Sequence, residues 1–362
     1  MGARRAPGLY HLTDKRSKED PQAECRLHFP VVARPPRPLT GESVTSGRMN
    51  DQTTPTSTTS FVQAPGGRLA LRRWGTTGKP VMVLVHGYPD NSSKWEAVAQ
   101  HLRQDFDVIA YDVRGAGESF KPQAVADYKL ARLTEDFTAV INAVSPDQPV
   151  HLVAHDWGSV QSWEFVTEPA LKGRIASYTS CSGPSLDHIG FWMSDRVRHP
   201  SLSGLGQLGM QSLKSWYVYF FQLPWLPEAL WRRVLGRHWP GLMRLVEGTH
   251  IEPRASQAED GALGINLYRA NVFACMMKPR ERFAHAPVLL LVAMKDRFVS
   301  PALTADLARW VPRLTRRELQ AGHWVTLQQP QAFAQAVREF IAAPPVESAC
   351  AEPARGGARQ SA

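Results

Sequence analysis

A carboxylate lies at the centre of a sharp turn that follows an apolar run. Residues 150–154 read VHLVA, and residues 154–158 read AHDWG with Asp156 in the middle. A tight strand-to-helix turn needs small residues on both sides of its central residue, which is strained and projects its side chain. A carboxylate held there can displace a leaving group at saturated carbon and form an ester. The alternative interpretation is that Asp156 only caps the following helix.

A second carboxylate and a histidine follow in the order that a triad on such a turn requires. Asp296 comes two residues after the end of the apolar run 288–294, and His323 lies further on in AGHW at 321–324. An acid at the carboxyl end of a parallel strand lies where such sheets place their sites. We predict that Asp296 orients His323 and that His323 acts as a general base. In this hypothesis His323 is uncharged at working pH, and activity falls as it becomes protonated on the acid side.

Two other turns follow predicted strands. HGYP at 86–89 directs backbone N–H groups above the sheet, so the N–H groups of Tyr88 and Trp157 are predicted to form an oxyanion hole. The run DVRGAGES begins at Asp112, and Asp112 and Arg114 are expected to pair and support this loop structurally.

These residues need elements that bring them to one edge of a sheet. Short β-branched runs alternate with helical stretches, which predicts a mostly parallel, doubly wound sheet. The runs that read as buried strands span 81–85, 107–111, 150–154, 175–180 and 288–293. Ser93 with Glu96 resembles a capping box, and Ser300 with Pro301 resembles a helix start.

The middle of the chain breaks this alternation, because it is helical in pattern and holds five of the eleven tryptophans. It is predicted to be an inserted helical cap, while the Pro- and Ser-rich ends are predicted to be disordered. The predicted organisation is a disordered extension at 1–60, hydrolase core at 61–183 and 285–343, helical cap at 184–284, and a disordered tail at 344–362.

Bulk properties exclude several classes of protein. The formal net charge is +9, but nine Lys or Arg against five Asp or Glu lie in residues 1–48, so the remaining charge gives no argument for nucleic acid. The four cysteines include no CxxC pair, so no metal site is predicted and a reducing compartment is favoured. No apolar run approaches the roughly 20 residues of a membrane span. We expect a cytoplasmic protein, whether translation starts at Met1 or Met49.

The sequence between residues 81 and 330 resembles the epoxide hydrolase branch of the α/β-hydrolase superfamily. The motifs that carry the resemblance are, in order, HGYP, DVRGAGES, AHDWGS, KDRFVSP and AGHW. They are especially similar to actinobacterial proteins that join such a hydrolase to a short-chain dehydrogenase, although no dehydrogenase module is predicted here. The resemblance implies an α/β-hydrolase fold with a helical cap. It also implies conversion of a hydrophobic epoxide and water into a vicinal diol through an aspartyl ester, without metal or organic cofactor; the oligomeric state stays open.

The same resemblance implies residues in the cap. Members of this branch hold the epoxide oxygen with two cap tyrosines that donate a proton. Aligning on Phe221 and the residues that follow selects Tyr217 as the first tyrosine, with Tyr219 as the alternative. The second corresponds to Tyr268 in NLYR at 266–269, where Leu replaces the usual Trp. Contacts with substrate are further expected from Trp157, Tyr219, Phe221 and Trp324.

Three other functions are compatible with parts of this pattern. A haloalkane dehalogenase uses the same triad with N–H donors that hold the halide, one of which Trp157 could supply. Tyr88 and a matched pair of cap tyrosines argue against it. A low-turnover binding protein on the same fold would have no need of a complete triad. A serine-type esterase would need Ser or Cys at position 156, where this chain has Asp.

Overall fold

One eight-stranded sheet organises the protein, and the computed structural model describes residues 57–343. Its order is β1-β2-β4-β3-β5-β6-β7-β8. The first two pairings, β1 with β2 and β2 with β4, are antiparallel, and all the others are parallel. The strands are β1 Thr58–Ala64, β2 Gly67–Trp74, β3 Val81–Val85, β4 Asp107–Tyr111, β5 Val150–His155, β6 Ile175–Cys181, β7 Val288–Ala293 and β8 Leu314–Leu319. The mostly parallel sheet predicted from the sequence is therefore confirmed.

Helices flank the sheet and also form one long insertion. Six of them, α4 to α9, lie between β6 and β7, and this stretch is called the cap below. A π-helical turn at Trp231–Leu235 separates α7 from α8. The helices are α1 Glu96–Leu102, α2 Leu130–Val144, α3 Trp157–Thr167, α4 Leu186–Arg198, α5 Leu202–Lys214, α6 Trp216–Phe220, α7 Leu226–Leu230, α8 Gly236–Glu247, α9 Gln257–Met277, α10 Val325–Gln328 and α11 Pro330–Ala342.

The central strands are apolar throughout because both faces of the sheet are covered. Successive side chains of a strand point to opposite faces. On β3, Met82 packs with α1 and α11 on one side, whereas Val83 packs with α2 and α3 on the other. On β5, Leu152 and Val153 divide in the same way, and both are fully buried. Two apolar layers thus clamp the strands whose carboxyl ends carry the candidate site.

Sequence patterns missed the three outer strands. β1 and β2 form an antiparallel hairpin at one edge, and β1 is exposed along most of its length. At the opposite edge β8 reads LTRREL, with no residue fully buried. Edge strands need only one protected face, so their sequences lack the continuous apolar run that reveals a central parallel strand. β1 also begins at Thr58, so the prediction of disorder up to residue 60 is wrong for its last residues.

Local details differ from three sequence expectations. Ser93 lies inside a 3₁₀ turn that Asn91 caps through its side chain, so the capping box with Glu96 does not form. Ser300 and Pro301 do start a helical turn, but it is a 3₁₀ turn of four residues, Pro301–Thr304.

The expected pair of Asp112 with Arg114 is also absent. Arg114 instead donates to Asp136 on α2 at 2.7 and 2.8 Å. Asp112 accepts the backbone N–H groups of Ser92 and Glu118, both at 2.8 Å. Both side chains still support the loop, Arg114 through α2 and Asp112 through Ser92 and the far end of the loop itself.

Of the two segments predicted to be disordered, 1–60 and 344–362, residues 1–56 and all of 344–362 lie outside the described residues. Within residues 57–343, no helix combines the length and apolar character needed to cross a bilayer.

Candidate active site

Asp156 occupies the turn between β5 and α3 in a strained backbone conformation, with φ 54° and ψ −128°. Few residues other than glycine adopt a positive φ, and such strain concentrates at functional sites. The turn depends on small neighbours: a Cβ at Gly158 would collide with the carbonyl oxygen of Val85, and a Cβ at Gly87 would collide with the Asp156 carboxylate. Ala154, on the other side of the turn, is fully buried. The backbone thus projects the carboxylate above the carboxyl edge of the sheet.

The structure brings the three predicted triad side chains together. His323 Nε2 lies 3.3 Å from Asp156 Oδ2, and His323 Nδ1 lies 2.9 Å from Asp296 Oδ2. The other oxygen of Asp296 accepts the backbone N–H groups of Phe298 and Val299, at 2.8 and 3.0 Å. These bonds fix the carboxylate so that it holds the imidazole with Nε2 directed at Asp156. The arrangement is that of a nucleophile, a base and an orienting acid.

One backbone donor contacts the Asp156 carboxylate on its other side. The N–H of Tyr88 donates to Asp156 Oδ1 at 2.6 Å. Trp157 is the first residue of α3, so its N–H lies ahead of the hydrogen bonds inside that helix. Both N–H groups were predicted to form an oxyanion hole, and the structure places that of Tyr88 in contact with the carboxylate.

Two cap tyrosines face this carboxylate. Tyr217 on α6 and Tyr268 on α9 have ring centroids 5.8 Å apart, and the Tyr268 ring lies 4.8 Å from that of Trp157. Burial raises the pKa of both phenols, and the nearby charge of Asp156 raises it further. Each phenol therefore keeps its proton at neutral pH and is available as a hydrogen-bond donor. Tyr219, the alternative in the sequence, is more than half exposed and packs against Phe273 instead.

The other residues expected to contact substrate lie at different distances from this cluster. Phe221 is buried, with its ring 5.0 Å from that of Tyr268. The Trp324 ring lies 4.7 Å from the His323 imidazole, and its indole N–H donates to Asp90 at 3.0 Å. Trp324 therefore forms one wall of the site, and its hydrogen bond to Asp90 fixes the orientation of the indole ring.

Two apolar compartments meet at the triad. Asp156, Tyr217, Tyr268 and Phe298 line both of them. The larger has a volume of about 350 Å³ and also contains His323 and Trp324 among aliphatic and aromatic residues of the cap. The smaller, of about 130 Å³, extends between α4, α5 and α9. Their walls favour an apolar molecule whose reactive atom sits at the junction.

The charge state of His323 differs from the sequence expectation. Burial alone would lower its pKa, but the carboxylates of Asp296 and Asp156 raise it to about 10. A pKa raised in this way favours a protonated imidazole in the resting protein, whereas the sequence led to the expectation of an uncharged His323. Esterification of Asp156 would remove one of the two carboxylate charges and lower the pKa of His323, which would make it a base only after the nucleophile has reacted.

A titration tests this coupling. In Asp156→Asn the pKa of His323 is expected to be lower than in the unmodified protein, because the amide carries no negative charge. The proton on Cε1 of His323, followed by NMR as pH is raised, reports that pKa directly. Removing the Asp296 charge in Asp296→Asn should also lower it, since this carboxylate is the largest factor that raises the pKa. An unchanged midpoint in Asp156→Asn would contradict the coupling.

A series of buried polar contacts behind His323 was not predicted from the sequence. Lys94 pairs with Asp90 at 3.1 Å and lies 2.6 Å from His155 Nδ1, while His155 Nε2 lies 2.7 Å from the backbone carbonyl of His323. An ammonium group can only donate, so His155 Nδ1 accepts and its Nε2–H donates to that carbonyl. These hydrogen bonds fix the backbone of His323 and therefore the position of its imidazole. In the sequence, only the position of His155 next to Asp156 could have indicated that His155 takes part in these contacts.

Within residues 57–343, no three His, Cys, Asp or Glu side chains are grouped as a metal ion would require. The site consists of a carboxylate, a histidine paired with a second carboxylate, and two phenols.

Comparison with known proteins identifies the family. Residues 80–330 match the family described as alpha/beta hydrolase fold. The chain is 30% identical to epoxide hydrolase 3 of Mus musculus over 297 residues, which cover 77% of this chain and 75% of that protein. It is 37% identical to the Mycobacterium tuberculosis protein named "Probable oxidoreductase EphD" over 292 residues, or 77% of this chain and 49% of that protein. The chain thus spans about half the length of this mycobacterial relative.

Solved structures agree on the fold. An epoxide hydrolase of Bacillus megaterium in complex with an inhibitor superposes with a TM-score of 0.63 at 21% identity, covering 78% of this chain and 99% of that one. An epoxide hydrolase from metagenomes of hot environments gives a TM-score of 0.65 at 24% identity, covering 80% and 99%. The predicted α/β-hydrolase fold is confirmed, and the chain belongs to the alpha/beta hydrolase family, in its epoxide hydrolase branch.

Proposed function

We propose that this chain is an epoxide hydrolase that converts apolar epoxides into vicinal diols, with Asp156 as the nucleophile. The observation that carries the proposal is the pair of protonated phenols, Tyr217 and Tyr268, lining the same two apolar compartments as the carboxylate. The mouse relative named epoxide hydrolase 3 supports it as well. A strained ring has no separate leaving group, so its opening needs a carboxylate on one side and an acid on the other.

In the first half of the proposed reaction, an Asp156 oxygen attacks a ring carbon and the carbon–oxygen bond of the ring breaks. The leaving oxygen takes the proton of one phenol while the other holds it by a hydrogen bond. The product is a hydroxyalkyl ester of Asp156 and a phenolate. His323, whose pKa falls when the Asp156 charge is lost, returns a proton to that phenolate and becomes neutral.

In the second half, neutral His323 takes a proton from water, and the water oxygen bonds to the ester carbonyl carbon. The resulting oxyanion is held by the N–H groups of Tyr88 and Trp157. When the tetrahedral intermediate collapses, the ester oxygen leaves with the diol. The new carboxyl proton passes to that oxygen, which restores Asp156, the phenols and protonated His323. The balance is one epoxide and one water for one diol.

A two-substrate assay tests the reaction class. Styrene oxide should yield phenylethane diol, whereas 1-bromobutane should release no bromide, because the phenols protonate a ring oxygen but have no role with a halide. Diol and bromide are measured separately in parallel incubations. Bromide without diol would replace the proposal with haloalkane dehalogenation, and tight binding without turnover would replace it with a binding function.

Removing the phenol groups should slow ring opening. Tyr217→Phe and Tyr268→Phe are each expected to reduce the rate of ester formation by roughly 10²-fold or more, since general acid catalysis contributes on that scale. Rapid-quench measurement of the ester isolates this step from its hydrolysis. Tyr111→Phe is the matched control, because this buried tyrosine on β4 lines neither compartment, and it should leave the rate close to normal. An equal loss in all three variants would mean that packing, rather than proton donation, is what the substitutions disturb.

A further inference from the structure

Helix α5 is apolar on the side that faces solvent. Leu202, Leu205, Met210 and Leu213 are between 50% and 94% exposed. At about 3.6 residues per turn these four positions lie on one side of the helix. The positions between them on that side are glycine or serine, and none is charged. A helix on the surface of a soluble domain normally shows the opposite pattern, with charged residues outward.

Polar contacts hold the side of α5 that faces the protein. Gln211 donates to the carbonyl of Phe298 at 2.8 Å and accepts the N–H of Ser300 at 3.1 Å. Gln207 accepts from Arg196 of α4 at 3.0 Å. These hydrogen bonds fix the rotation of α5 about its own axis. The leucines on the opposite side of the helix are therefore held facing solvent.

The apolar surface continues into the next segment. Trp216 and Tyr219 on α6 and Trp225 just before α7 are all more than half exposed. We call the cap face the set of exposed side chains Leu202, Leu205, Met210, Leu213, Trp216, Tyr219 and Trp225. Contiguous apolar surfaces of this kind mark sites of association rather than free surface.

The chain around the cap face is strongly basic. Between residues 196 and 246, Glu228 is the one acidic residue, and it pairs with Arg269. Two of the basic residues pair with acids outside the stretch, Arg196 with Asp306 and Arg232 with Glu259. The basic residues of the stretch are Arg196, Arg198, Lys214, Arg232, Arg233, Arg237 and Arg244.

We propose that the cap face docks on the surface of an anionic lipid bilayer. Exposed leucines would enter the acyl boundary, tryptophan and tyrosine would lie at the headgroup level, and the arginines would attract acidic headgroups. A second copy of the chain fits less well, since a symmetric contact through this surface would bring two basic stretches together.

The cap face also contains the edges of both compartments. Trp216 lines the larger compartment and Tyr219 the smaller, and both compartments reach Asp156. Resting on the proposed function, docking would let an epoxide dissolved in the membrane pass into the site without crossing water. The substrate class is then a lipid-soluble epoxide with apolar substituents.

Vesicle sedimentation with the full chain tests the docking. Binding is expected to equimolar phosphatidylcholine and phosphatidylglycerol vesicles, to be weaker on pure phosphatidylcholine, and to weaken with added salt. The double variant Leu202→Gln with Leu213→Gln should bind at least about tenfold more weakly, because two large apolar side chains no longer enter the lipid. Val125→Gln with Phe61→Gln, two exposed apolar residues outside the cap, is the matched control and should bind normally.

Two further readouts keep the outcomes separate. Diol formation from dissolved styrene oxide without vesicles should be the same in the double variant as in the unmodified chain, which shows that the variant is folded. Vesicle binding without any diol would leave the docking in place and overturn only the proposed function. Failure of the unmodified chain to bind anionic vesicles, equal weakening in the control variant, or a dimer in solution that the leucine substitutions dissociate would overturn the docking.

Discussion

Replacing His323 with glutamine is expected to halt the reaction with the substrate still bonded to the protein. Ring opening needs the Asp156 carboxylate and the two phenols, so the ester can still form. Its hydrolysis needs a base beside the ester carbonyl, and His323 Nε2, 3.3 Å from Asp156 Oδ2, is the group in position to act. Intact-mass measurement should show a gain of one substrate per chain, while steady turnover falls by roughly 10⁴-fold.

The control for this experiment is His101→Gln, which changes an exposed histidine on α1. It should neither accumulate an adduct nor lose turnover. Normal diol release by the His323 variant would show that water is activated elsewhere. Loss of turnover without any adduct would instead mean that His323 is needed before the ester forms, for example to keep the Asp156 carboxylate in place.

Asp156→Asn is expected to remove both the adduct and the diol. An amide is a poor nucleophile toward an epoxide, so activity should fall by roughly 10⁴-fold or more. The change keeps the shape of the side chain, and the amide oxygen can still accept the N–H of Tyr88. The temperature of unfolding should therefore stay close to that of the unmodified chain, which separates lost chemistry from lost structure. Asp105→Asn, at an exposed position, is the matched substitution and should retain activity.

Heavy-oxygen labelling decides whether the carboxylate itself supplies the new oxygen. In a single turnover in ¹⁸O-enriched water, the first diol should carry unlabelled oxygen from Asp156, and the label should appear in the protein. This follows because the second half of the proposed reaction breaks the acyl bond of the ester. Label in the first diol would mean direct attack by water, and Asp156 would then be at most a base.

Local motifs were enough to identify the residues at the junction of the two compartments. Asp156 and Asp296 each follow an apolar strand, and parallel strands present their carboxyl ends at one edge of the sheet. His323 follows the polar edge strand β8 and was identified from its place after the acid in the order of the chain. Their convergence could therefore be expected before any coordinates were known. Tyr217 and Tyr268 were identified only through resemblance to a family. The residues around a tyrosine in an aromatic-rich helix do not show whether its side chain donates a proton or packs in the core.

Interactions between distant segments could not be derived in this way. Arg114 pairs with Asp136 rather than with Asp112, because the loop directs the Arg114 guanidinium group toward α2. Lys94 reaches His155 across the interior, and no spacing in the sequence indicates that contact. The outward apolar side of α5 could be identified only when the rotation of the helix was known, since its sequence alone is compatible with burial.

The sequence by itself determined the class of fold, the chain order of Asp156, Asp296 and His323, and the presence of inserted helices between β6 and β7, because these depend on short-range patterns of apolar and small residues. The tertiary structure alone decided that two carboxylates raise the pKa of His323, that Tyr217 rather than Tyr219 faces the Asp156 carboxylate, and that two compartments meet there. Each of these depends on charges and distances between groups far apart in the chain, and such quantities exist only after the chain has folded.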